Sequence, residues 1–127
     1  MIMRDIWKDT PEEHDFPAAM EYLTLLFDEK NARNLVKKLK GAPTVHRKAK
    51  DLIRASGLAL LARENSHVAS DLKKIKRGKT LSPVLLVRGN GAMGAPLVVA
   101  DGFHRICASW YKDENLTIAC RLVSLQG

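Results

Sequence analysis

The sequence predicts a mixed α/β fold: a helical first part, then a small mixed sheet with helices. Two observations predict it. Up to Gly78 the apolar residues recur at steps of three and four, the spacing of an amphipathic helix; after Gly78 they gather into short branched runs separated by glycine and proline. At 127 residues the chain is expected to be a single domain, with residues 1–64 mostly helical and residues 65–127 a motif-bearing core. That length buries roughly two-thirds of the unfolded surface, so no disulfide or metal is needed for folding.

The elements follow in order. Residues 1–12 are polar and read as a loose start. From Phe16 onward Ala19, Tyr22, Leu23, Leu26 and Phe27 make one apolar stripe, and Leu35, Val36 and Leu39 make a second, stopped by Gly41 and Pro43. A third helix is expected over residues 45–56, where Val45, Ala49, Leu52 and Ile53 align, and Gly57 ends it. The run LALLARENS fits a strand, a helical turn or a buried loop. Val68, Leu72 and Ile75 mark a fourth helix closed by Gly78. PVLLVR (83–88) and LVVAD (97–101) then read as strands joined by the glycine-rich RGNGAMGAP. Phe103, Ile106, Cys107 and Trp110 return to helical spacing, and TIACRLVSL (117–125) alternates into a closing strand.

The net charge of +7 is unevenly spread. Residues 1–30 hold eight acids against three Lys or Arg, whereas residues 31–80 hold fourteen Lys or Arg against three acids. A basic middle of this kind attracts nucleic acid, a nucleotide or an acidic partner, or else docks the acidic first segment of its own chain or of a second copy, which keeps a homo-oligomer open. Within it Lys73, Lys74, Lys76 and Arg77 crowd one stretch, where a solvated helix face, DNA backbone contact and a pocket's positive field all compete as readings. Few aromatics accompany them, which disfavours base stacking.

No run of about 18 apolar residues and no apolar signal core occur, so membrane insertion is not expected and a cytoplasmic address is the default. Cys107 and Cys120 lack metal-ligand spacing and read as small buried thiols. His14, His46, His67 and His104 form no zinc motif, and the glycines at 89, 91 and 94 form no P-loop.

The stretch VADGFHRICA (99–108) carries the chemistry. Here a strand hands over to a helix N-terminus, whose unpaired N–H groups and partial positive charge favour an anion. Gly102 would let backbone approach a ligand, and His104 and Arg105 add donors, Arg105 with a fork that suits a phosphate. Asp101 would otherwise serve as a plain helix cap.

DGFHR, preceded by LVVA and followed by an apolar helix with Ala108, resembles the G-x-[HR]-R-x-x-A signature of the ParB/sulfiredoxin-like superfamily. LSPVLLVR (81–88) resembles that family's L-x-P-[IV] strand opening, and TIACRLV (117–123) resembles the closing I-P-C-x-L-V strand of sulfiredoxins. The likeness spans residues 65–125. It implies a site for a nucleotide or another phosphorylated small molecule, with Gly102, His104 and Arg105 as the phosphate cradle and Ser82 and Pro83 at the neighbouring strand end. It also implies that Asp101 orients the histidine, acts as a base or helps hold a magnesium ion, and leaves Asp101 and His104 as the catalytic candidates for hydrolysis or phosphoryl transfer.

Two departures limit what carries over. Phe103 stands where sulfiredoxins have their cysteine, so sulfinic-acid reduction is not expected. The same Phe103 replaces the glutamate of the ParB GERR turn, and no helix-turn-helix segment follows, which argues against a complete segregation protein. The competing reading is a ParB-like module that binds nucleic acid or a protein partner through residues 31–80 without catalysis.

Overall fold

A computed structural model describes residues 6–125. Its mixed α/β architecture is a four-stranded sheet with helices on both faces, in the order α1 (Asp15–Leu23), α2 (Glu29–Gly41), β1 (Val45–Lys48), α3 (Ala49–Ser56), α4 (Ser66–Lys76), β2 (Val84–Val87), β3 (Val98–Asp101), α5 (Phe103–Lys112) and β4 (Thr117–Val123). The strands lie in the order β1-β4-β2-β3. β4 runs parallel to β2 and antiparallel to β1, while β2 and β3 form an antiparallel hairpin. Among the described residues no helix is long and apolar enough to cross a membrane.

Strand alternation sorts the core into two layers. Val84, Leu86 and Val99 point to one face, where they meet Leu52, Val68, Ile75 and Ile106 of α3, α4 and α5. Leu85, Val87 and Ala100 point to the other and meet Ala19, Leu23, Leu35 and Leu39 of α1 and α2. β2 is buried on both sides, which explains why its four residues are all apolar. Cys107 and Cys120 are free and buried, and burial pushes the Cys120 thiol up to about 11.

Three expectations change. Residues 45–48 are not the start of the third helix but the edge strand β1, because Val45 to Lys48 pair with Thr117 to Cys120 of β4. The Val45 and Ala49 spacing that mimics a helix turn spans the junction instead, where the Leu116 and Glu114 carbonyls accept from the Ala49 and Lys50 amides. Leu26 and Phe27 fall beyond the end of α1, which leaves Leu26 exposed, and Tyr22 stands on the outer side of α1, so the five do not form one buried stripe. The polar start is also anchored: Trp7 is 5% exposed, its Nε1 donates to the Thr117 carbonyl at 3.1 Å, and it bridges Leu81. The first five residues of that start lie outside the described residues. LALLARENS takes the loop option, tied down by the Tyr111 hydroxyl donating to the Leu61 carbonyl at 2.7 Å.

Candidate functional site

Residues 101–105 sit where the sequence placed them, at the passage from β3 to α5. The β2 and β3 register shifts between Leu85 and Leu86, so β3 carries one extra residue and ends with Asp101 opposite Leu85. Gly102 then turns the chain with φ +107°, a conformation open to glycine. Its missing side chain serves packing: a Cβ there would lie 2.5 Å from Val84 Cγ1 and 2.7 Å from Arg105 Nη2. The sequence assigns that space to a ligand, whereas β2 and the Arg105 guanidinium fill it.

α5 starts without a side-chain cap. Asp101 does not cap it, because its Oδ2 accepts from Arg105 Nη2 at 2.6 Å. Arg105 also donates through Nη1 to the Ser82 carbonyl at 2.8 Å and lies 3.7 Å from Asp15 Oδ2. The guanidinium is therefore held between β2's approach, β3 and α1, with its side chain 13% exposed. This corrects the expected role: Arg105 is committed to two carboxylates and a carbonyl, so it braces the corner rather than offering a free fork to a phosphate.

Asp15 is the most buried of the polar site residues that sequence reasoning missed. Its carboxylate accepts from the Glu12 amide at 3.0 Å and from the Ser82 hydroxyl, a buried contact, and its neighbour His14 lies 3.5 Å away through Nε2. The acidic first segment thus docks twice: α1 packs its apolar face on α2 of the basic middle, and Asp15 reaches the head of α5. Burial pushes the Asp101 carboxyl up to about 6 against the pull of Arg105, and the Asp15 charge adds to the rise.

Around this corner opens a cavity of about 610 Å³. Ser82, Asp101, Gly102, His104 and Arg105 line it, and Lys74 joins them from α4. Pro83 does not: it is fully buried behind Ser82, so it shapes the turn instead of meeting a ligand. The remaining wall comes from elements remote in sequence. His67, Ser70 and Asp71 project from α4, and His14 and Asp15 stand at the start of α1. The His67 and His104 rings stack at 4.7 Å with a 45° tilt. Burial raises the Asp71 carboxyl and lowers the His104 imidazole, to which His67 adds. Phe103 packs on the α3–α5 core layer and does not block the opening.

Lys73, Lys76 and Arg77 are exposed, and of that basic cluster Lys74 alone reaches the cavity, 3.9 Å from Asp71. A second cavity of about 690 Å³, at the far end of the β2 and β3 hairpin, is lined by Tyr22, Leu26, Leu58 and Pro96 with Arg88 as its charged residue. Among the described residues no three His, Cys, Asp or Glu side chains gather as a metal-holding group. No family model, curated protein or solved structure matches this chain.

Proposed function

We propose that the cavity at the head of α5 binds a phosphorylated small molecule, a nucleotide being the class that the ParB/sulfiredoxin-like resemblance favours. The observation that carries this reading is the uncapped N-terminus of α5 opening into a polar cavity of about 610 Å³ beside His104, His67, Ser70 and Lys74. A helix start left without a side-chain acceptor favours an anion, and the volume suits a nucleotide-sized ligand. Gly102 and Arg105 serve it by building the corner, Ser82 by holding Asp15, and His104 by facing the ligand.

Hydrolysis or transfer would call on Asp101 and His104 for proton movement. A magnesium ion carried in by the nucleotide would find only Oδ1 of Asp101 open, because Oδ2 accepts from Arg105, and would take its other ligands from phosphate oxygens and water. Calorimetric titration with ATP, ADP, CTP and GTP, each with magnesium, tests the reading. At least one should bind, and His104→Gln should weaken it about tenfold, the loss of one charge-assisted hydrogen bond. Silence from all four discards the reading.

A second reading, a DNA- or partner-binding module, draws on Lys73, Lys76 and Arg77, which stand exposed on and after α4 and enter no ion pair among the described residues. Neutralising these three with Lys74 should lower the salt slope of duplex DNA binding by about one for each phosphate that is no longer neutralised. An unchanged slope removes this reading.

A further inference from the structure

We propose that a phosphate enters this cavity together with a proton held by the paired His67 and His104 imidazoles, so that binding tightens as the pH falls from about 8 to 6. This rests on the phosphate reading above and adds its regulation.

Every permanent cation on the wall already has a carboxylate. In the N-terminal strap Lys8 pairs with Glu12, on α4 Lys74 lies 3.9 Å from Asp71, and on α5 Arg105 sits between Asp101 of β3 and Asp15 of α1. Counted with neutral histidines, the wall carries one more acid than it has cations. A phosphate dianion would meet net repulsion there. The groups able to add positive charge are imidazoles, and three of the chain's four histidines line this one cavity; Asp101, its carboxyl pushed up to about 6 by burial, sheds negative charge in the same direction as the pH falls.

Of these, His14 is 81% exposed and turned to Asp15, which leaves His67 and His104 as the pair facing the α5 head. Their 4.7 Å stacking sets one imidazolium against the other. Accordingly burial, with His67 next, holds the His104 imidazole below its ordinary value, and Asp71 opposes. A phosphate beside the rings inverts that balance, because each imidazolium then gains a charge-assisted hydrogen bond and the anion screens the two rings from each other. Uptake of the anion and of a proton are therefore linked, and each must strengthen the other.

Ring-proton NMR on the full chain tests this, following the four imidazoles from pH 5 to 8 with and without saturating ATP, and with inorganic pyrophosphate as the base-free probe. Amide shifts at residues 102–105 report entry of the probe. His46 on the exposed edge of β1 is the internal control. With either probe bound, the His104 midpoint should rise by about one pH unit, making affinity at pH 6 about fourfold that at pH 8, while the His46 midpoint stays. His67→Gln should cut that ratio to about twofold, since the pair then loses one of its two proton sites. Binding with an unmoved His104 midpoint overturns the imidazole linkage and leaves the phosphate reading intact, since any pH dependence of affinity then belongs to Asp101. Absence of amide shifts with both probes overturns the two together.

Discussion

Arg105 and Arg121 are both drawn into the fold, yet their charges are met in opposite ways. Arg121, 9% exposed on β4, donates to the Leu39 and Lys40 carbonyls at 3.1 and 2.8 Å and to Thr44 Oγ1 at 3.3 Å. Its partners are the last carbonyls of α2, whose partial negative charge suits a cation and never titrates. Arg105 instead faces two full carboxylates on the wall of an open cavity, and one of them titrates near physiological pH. The first corner is built to hold, the second to hold charge that can change. A protein with only structural needs for a buried arginine has the Arg121 solution available; the Arg105 corner carries an excess acid that folding alone does not require.

The largest expected difference between the corners lies in their glycines. Gly102→Ala forces a side chain into a left-handed turn and onto Val84 and Arg105, so it should cost about 4 kcal/mol of unfolding free energy by urea titration. Gly41, at the end of α2 beside the Arg121 partners, has an ordinary backbone and open space around it, with nothing within 4 Å of where a Cβ would stand. Gly41→Ala should therefore stabilise by roughly 0.5 kcal/mol. Equal effects at the two positions would break the contrast.

Next come the arginines themselves. Arg105→Ala leaves Asp101 and Asp15 facing each other without a cation, and should cost about 3 kcal/mol at pH 8. At pH 5, where Asp101 takes up a proton, the loss should fall by about half. Arg121→Ala should cost about 2 kcal/mol, since two α2 carbonyls lose a charged donor, and by the same amount at both pH values. Urea midpoints of the two variants at pH 5 and 8 decide it; a pH-dependent Arg121 variant or a pH-independent Arg105 variant would remove the distinction.

Much of this was readable in the sequence, and the unread parts share one physical cause. The stripes of α2, α4 and α5 and the branched runs of β2, β3 and β4 are local patterns, set by which residues a helix or strand can bury on one side. β1 is not local: VHRK holds one branched apolar residue, and it becomes a strand because β4, some seventy residues on, offers a ladder. The site divides the same way. Residues 101–105 announce themselves as strand, glycine and helix start, but His67, Asp71 and Asp15 arrive through the packing of α4 on α5 and of α1 on β3. The one signal that could have found part of them is the placement of His67, Asp71 and Lys74 at steps of four and three, a single polar face on an otherwise apolar-striped helix.

The smallest effect probes the titrating acid alone. The folded chain holds the Asp101 proton more tightly than the unfolded chain does, with the carboxyl at about 6 against an ordinary 3.8. Below about pH 4 both states are protonated and the group costs nothing. As the pH rises from about 4 to 6 the unfolded chain releases its proton first, so stability falls across that window and stays lower above it. Asp101→Asn cannot titrate. The stability of the native chain minus that of the variant should therefore fall by about 1 kcal/mol between pH 4 and 7, the rest being screened by solvent reaching the carboxyl from the cavity. Paired urea titrations at the two pH values measure it. A difference that grows with pH would mean that Arg105 outweighs burial at this carboxyl, and the corner would then be a plain ion pair, no different in kind from a surface bridge drawn inward.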